Sequence, residues 1–205
     1  CQDRRSATGT DATALPGDLN ALIVDGAHSC GNRDFFFLPP LQPSPLRNQY
    51  FDRGKFNPNL RPVVKICVEP LPPQATQGSE CAKPLEKSGN PVVFNAVRGW
   101  DRLPDWIDPE QYHVLWQTRD YNLSTTKTYR ILVTVGSKLL GVLDIRPSNQ
   151  LLGALRITAG GTDVGWLDDM VVPIRFRIEQ GALCADHTNQ AGCTASTVVG
   201  AAPGS

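Results

Sequence analysis

The stretch KTYRILVTVGSKLLGVLDI, residues 127–145, decides the fold. In its first half Tyr129, Ile131, Val133 and Val135 fall on every second position, the side-chain period of a strand with one buried face. Gly136-Ser137 follows, a two-residue connection of the kind that closes hairpins, and KLLGVLDI returns. A two-residue turn fixes the pairing. In that register Leu140 faces Val133 and Val142 faces Ile131, so one apolar face runs across both strands.

Working outward, the same period recurs. RPVVKICVEP (61–70) is a proline-bounded strand with Val64, Ile66 and Val68 on one face, and PVVFNAV (91–97) is another. QYHVLWQT (111–118) alternates Tyr112, Val114 and Trp116 with His113, Leu115 and Gln117. A Pro-Ser-Asn turn at 147–149 leads into a further strand, LLGALRIT (151–158). VVPIRFRIE (171–179) sets Ile174, Phe176 and Ile178 inward and Arg175, Arg177 and Glu179 outward. Toward the start, DLNALIVDG (18–26) alternates Leu19, Ala21 and Ile23 against their neighbours, and DFFFLPPLQPSPL (34–46) joins three aromatics to a proline run. The rings want burial while the prolines leave few donors for a sheet interior, so this reads as an edge segment that wraps the domain.

Eighteen glycines and seventeen prolines in 205 residues imply many short segments and turns. The expected fold is all-β: an immunoglobulin-like β-sandwich with extended N-terminal and C-terminal segments, stabilised by disulfides. Its parts are a leader over 1–33, a proline-rich wrapping segment over 34–55, the sandwich over 56–183, and a disulfide loop with tail over 184–205.

The six cysteines, Cys1, Cys30, Cys67, Cys81, Cys184 and Cys193, include no CxxC pair. Cys67 and Cys81 bracket a proline-rich turn, and CADHTNQAGC closes a short loop between Cys184 and Cys193. An even count at such spacings reads as disulfides, hence an extracellular or outer-surface location after removal of a signal peptide. Cys1 then marks the processed end. It carries lipid, as in bacterial lipoproteins, or it pairs with Cys30; both readings stay open.

Twenty basic residues balance twenty acidic ones, which argues against nucleic acid as a partner, because that affinity rests on neutralising phosphate. No apolar run approaches the roughly 20 residues of a membrane helix. GxSxG, HExxH, Walker and GxGxxG motifs are all missing. Of the three histidines, His28 lies in a polar loop beside Cys30, His113 is on a strand, and His187 falls inside the Cys184–Cys193 loop. Surface exposure explains them better than a Cys/His nucleophile pair, since adjacency in sequence is not the geometry a base needs. GGTDVGWLDDM (160–170) brings Asp163, Asp168 and Asp169 near glycines. It lacks the alternating ligand pattern of a calcium loop and reads as a solvated turn. No metal or cofactor is expected. GWDRLPDWIDPEQYHVLW (99–116) clusters Trp100, Trp106, Tyr112 and Trp116. Trp116 belongs to a buried face, whereas Trp100 and Trp106, beside Arg102 and Asp105, are candidate contacts for a glycan or protein. Asn122-Leu123-Ser124 fits the N-glycosylation triplet.

Five stretches in succession resemble a family of uncharacterised bacterial surface and secreted proteins with immunoglobulin-like β domains. They are VDGAHSCGNRDFFFLPPLQPSP, FNPNLRPVVKICVEP, YHVLWQT, KTYRILVTVGSKLLGVLDI and VPIRFRIEQG, spread over most of 24–181. The resemblance implies a signal-bearing precursor, often with cysteine at the mature start, and a non-catalytic β domain. It carries over no catalytic residue. Members often continue into further β repeats, whereas a short tail follows the β domain here, so a repeat-bearing adhesin role is not expected.

The expected function is non-enzymatic. It is that of an exported structural subunit assembling with copies of itself into a filament or surface layer, with Leu19, Ala21 and Ile23 as a donor strand. The alternative is a lipid-anchored surface module that contacts glycan or protein through Trp100 and Trp106.

Overall fold

The computed structural model describes residues 22–29, 31–69, 81, 83–99 and 110–184. They form thirteen strands: β1 Ile23–Val24, β2 Phe35–Phe37, β3 Val63–Glu69, β4 Glu86–Lys87, β5 Asn90–Pro91, β6 Val93–Asn95, β7 Val97–Arg98, β8 Tyr112–Gln117, β9 Thr128–Val135, β10 Lys138–Leu151, β11 Ala154–Ala159, β12 Thr162–Asp168 and β13 Val171–Ile178. One sheet runs β12-β11-β10-β9-β3-β6, with β1 also paired to β10; a second runs β2-β13-β8-β7; β4 and β5 form a small hairpin. All pairings are antiparallel.

The two larger sheets share one apolar core. Val64 and Ile66 of β3, Tyr129, Ile131 and Val133 of β9, and Leu155 and Ile157 of β11 meet Tyr112, Val114 and Trp116 of β8 and Ile174, Phe176 and Ile178 of β13. For β3, β8, β9 and β13 those are the faces the alternation assigns. Phe35 and Phe37 enter the same core from β2, an edge strand held on β13.

The chain changes sheet at Ala96. β6 pairs with β3 in the first sheet, while β7, one residue later, pairs with β8 in the second.

The hairpin of β9 and β10 departs from its expected register. Gly136 and Ser137 do form the turn, and Lys138 pairs with Val135. A bulge then slips the ladder between Leu139 and Gly141, so Gly141 opposes Val133, Leu143 opposes Ile131 and Asp144 opposes Arg130. Leu140 reaches the core as expected but as the bulge residue, not as the partner of Val133, and Val142 turns to the outer face opposite Leu132. The reason lies further along the strand. Without the slip, Asp144 would point into the apolar core opposite Tyr129, an unpaired buried charge. With it, Leu143 and Ile145 enter the core, and Asp144 turns to the other face. There its Oδ1 accepts from Arg130 Nε at 2.7 Å and its Oδ2 from Arg130 Nη2 at 3.0 Å.

Two further expectations are corrected. The Pro-Ser-Asn turn does not form. β10 runs on through it to Leu151 with a bulge at Ser148, and the chain reverses at Leu152-Gly153, so the strand begins at Ala154 rather than Leu151. Pro147 is tolerated because β9 stops pairing at Ile145 and a bulge adjoins it. GGTDVGWLDDM is likewise more than a solvated turn: Gly160-Gly161 and Asp169-Met170 turn at its two ends, and Thr162–Asp168 between them is β12.

Arg177 and Glu179 do point away from the core, but they are buried rather than solvated. Arg177 donates from Nε to Glu179 Oε1, from Nη1 to Glu110 Oε2 and from Nη2 to the Gly54 carbonyl, and it lies over the Phe56 ring. Glu179 Oε2 accepts the Gly54 N–H at 2.6 Å. Tyr112 adds a further tie, donating its hydroxyl to the Asn57 carbonyl and accepting from the Leu60 N–H. These bonds fasten residues 54–60, which have no sheet partner of their own beyond a bridge at Phe56.

A Cβ built on Gly141 would lie 2.1 Å from Cε1 of the fully buried Phe35 ring. Gly141→Ala is therefore expected to lower unfolding free energy by about 1–3 kcal/mol, read by urea denaturation. A loss under about 0.5 kcal/mol, the scale of an ordinary surface change, would mean the ring is not packed on that glycine.

Candidate interaction surfaces

Those residues singled out in the sequence that are described do not converge on one site. Cys67 and Cys81 form a disulfide with Cα atoms 5.4 Å apart. It lies on the outer face of the first sheet with Leu132 and Val142, separate from the core. Cys184 is also disulfide-bonded, whereas Cys1, Cys30 and Cys193 lie outside the described residues, as do Leu19, Ala21, Trp100, Arg102, Asp105, Trp106 and His187. Ile23 is described. It pairs with Leu143 of its own chain and sits in its own core.

His28 has a carboxylate partner that sequence reasoning missed. Its Nδ1 lies 2.8 Å from Oδ1 of buried Asp25. That oxygen also accepts the backbone N–H of Ala27 and of His28, and Oδ2 accepts the N–H of Phe37. Asp25 thus closes the open side of β2 in place of a neighbouring strand, helped by the Gly26 N–H donated to the Phe35 carbonyl. A His–carboxylate pair is two-thirds of a hydrolytic triad. Here no hydroxyl or thiol is hydrogen-bonded to His28 among the described residues, and the carboxylate is occupied with holding a loop. The only clue in the sequence was the tight spacing of VDGAHSCGNRD.

His113 lies on the outer face of the second sheet. Asn122 is exposed in the loop before β9. Asp163 and Asp168 stand near opposite ends of β12, with Asp169 in the turn beyond, and the Asp168 side chain is outside the described part. Among the described residues no three His, Cys, Asp or Glu side chains gather to hold a metal ion.

Two surfaces remain. The first is the edge from β6 to β7. Neither strand has a second neighbour among the described residues, and Val93 and Val97 are 49% and 60% exposed. On β8, Leu115 is also exposed on the outer face that Val97 shares.

The second surface is the outer face of β10, β11 and β12, where those strands extend past the end of β9. A bulge in β12 sets its chemistry. Ile157 pairs with Gly165 and Thr158 with Asp163, leaving Val164 as the extra residue. Gly165 takes φ +84°, a left-handed conformation that suits glycine, and its N–H donates to Asp163 Oδ1. Val164 and Leu167 both pack toward the core, so the residue between Gly165 and Leu167 is turned outward. That residue is Trp166, 43% exposed. It stands opposite Arg156, which in turn stands opposite Asn149. Arg156 Nη2 lies 2.5 Å from Asp163 Oδ2.

No family model, curated protein or solved structure matches this chain.

The Arg156 guanidinium, followed by the Gly165 N–H, holds the Asp163 carboxyl below the usual aspartate range. A depressed folded value means the interaction is present above the ordinary aspartate pKa and fades as pH falls through the lowered one. Carboxyl NMR titration of Asp163 should show the low value in the native chain and an upward move in Arg156→Gln. An unchanged midpoint in that variant would contradict the pairing.

Proposed function

We propose that the protein is a non-enzymatic structural module that works outside the cytoplasm and assembles with copies of itself. One observation carries this reading: the edge made by Val93–Asn95 and Val97–Arg98 belongs to both sheets, has no further strand beside it among the described residues, and presents two exposed valines. An unprotected edge is a template for strand addition, which natural monomers blunt with lysine, proline or a cover. A strand from a neighbouring copy laid along it extends the sandwich, and repetition of a head-to-tail contact gives a filament or layer. In this reading the leader residues Leu19 and Ala21 supply that strand.

Export is supported by the cysteines. Cys67, Cys81 and Cys184 are all in disulfides, a state that persists in oxidising compartments. The non-enzymatic part rests on where the charged groups go: Asp25, Asp144, Arg130, Arg177 and Glu179 are buried in structural ties. We also read the sandwich as immunoglobulin-like, on its two antiparallel sheets around a fully buried Trp116. Its disulfide departs from that pattern by bracing an outer face instead of spanning the core.

Val93→Lys with Val97→Lys tests the assembly, since both positions are exposed and the fold should tolerate them. Light scattering on the full chain is expected to show multimers for the native protein and monomers for the double variant. Multimers unchanged by the two lysines, or a native chain monomeric at every concentration, would overturn it.

A further inference from the structure

We propose that the outer face of β10, β11 and β12, centred on Trp166, is a binding platform for a pyranoside sugar. This goes beyond the assembly reading and uses a different surface.

The first argument is the cost of the exposed ring. A tryptophan turned to solvent on a sheet forgoes burial that the strand otherwise has available. Strict alternation from Val164 would send Trp166 into the core and Leu167 out. The bulge reverses both, so the smaller residue packs half-buried against the core and the larger one is displayed. Bulges commonly re-aim a side chain beside a functional surface, and this one is fixed by two local features, the left-handed Gly165 and its N–H bond to Asp163 Oδ1. Trp116, on β8, is by contrast fully buried.

The second argument is what surrounds the ring. Across the strands Trp166 is followed by Arg156 and Asn149, and the next rung holds Asp163, Thr158 and Arg146. All of these neighbours carry hydrogen-bonding groups. Arg156 and Asp163 are already ordered against each other. One guanidinium nitrogen is engaged, which leaves other donors of the fork, and the carboxylate has lone-pair sites beyond the two in use. Adjacent strands stand about 4.8 Å apart, a spacing comparable to the width of a pyranose ring. A sugar whose C–H face stacks on Trp166 therefore sets its edge hydroxyls over Arg156 and Asp163.

The third argument separates a sugar from a protein partner. Protein interfaces centre on a contiguous desolvated patch ringed by polar groups. On this face a single ring is flanked by charged and amide side chains. The exposed Leu151 lies on the next rung of this face, on β10 opposite Ala154, while Arg156 and Asn149 complete the rung of Trp166 itself.

The test uses the full chain on a printed array of pyranose oligosaccharides, followed by affinity electrophoresis in gels containing whichever soluble polysaccharide scores. Native protein is expected to bind at least one class. Trp166→Ala should weaken that binding by about tenfold or more, and Trp166→Tyr should retain part of it because a ring remains. Arg156→Gln should weaken it as well, and circular dichroism should show all three variants folded. No sugar bound by the native chain would overturn the proposal, as would binding indifferent to Trp166→Ala. So would a Trp166→Ala variant that loses self-association, which would make the face a protein interface. The Val93 and Val97 variants should bind sugar normally, so failure of the assembly reading and failure of this one are distinguishable.

Discussion

The one-residue slip between Leu139 and Gly141 decides which side chains of β10 face the core, and most of the sandwich follows from it. Because the ladder slips there, Leu143 opposes Ile131 inside, while Asp144 opposes Arg130 outside. Gly141 comes to lie against the Phe35 ring, the contact through which β2 of one sheet meets β10 of the other. Asp144 also receives β1: its backbone N–H donates to the Leu22 carbonyl, and its Oδ2 accepts the Leu22 N–H. Reverse the parity and three contacts fail together. The buried pair would be parted, the ring would meet a side chain, and a carboxylate would enter an apolar core. Removing one partner of a buried pair typically costs about 3–5 kcal/mol, a large part of the stability of an ordinary domain.

A pattern runs through the buried charges. Asp25 closes the open side of β2, Arg177 and Glu179 hold residues 54–57, and Asp144 and Arg130 secure the entry of β1. Each ties down backbone that has little or no strand beside it. A buried charge is costly unless its hydrogen-bonding capacity is filled, and here it is filled by an opposite charge, for Asp25 by the His28 ring, together with main-chain groups of the segment being held. Such groups are poor candidates for chemistry, because freeing one would release a loop. The two surfaces proposed for partners lie instead at the margins of the molecule, on the β6–β7 edge and around Trp166.

Much of this architecture was legible in the sequence because strands with one buried face announce themselves by alternation. β3, β8, β9 and β13 bury the residues that the period of two assigns, and the Gly136-Ser137 turn forms where expected. The failures share a cause. Alternation assumes an unbroken ladder, so it put Val142 on the wrong face and gave Leu140 the wrong partner, read a turn at Pro147, and gave no hint that Trp166 faces outward. The available signal was a glycine inside each apolar run, Gly141 and Gly165, since an isolated strand glycine often marks a bulge or a close approach. Arg177 and Glu179 illustrate a second limit. Pointing away from the core does not mean meeting water when another segment lies across that face. The pairing of Asp25 with His28 depends on a loop conformation for which the sequence offered only close spacing.

The register of β9 against β10 is open to direct measurement. Cross-strand nuclear Overhauser contacts in a uniformly labelled sample would connect Leu143 with Ile131 and Asp144 with Arg130 if the slip is present. Contacts that instead join Val142 to Ile131 and Leu143 to Arg130 would describe an unbroken ladder, and the arrangement of core, buried pair and β1 set out above would be contradicted.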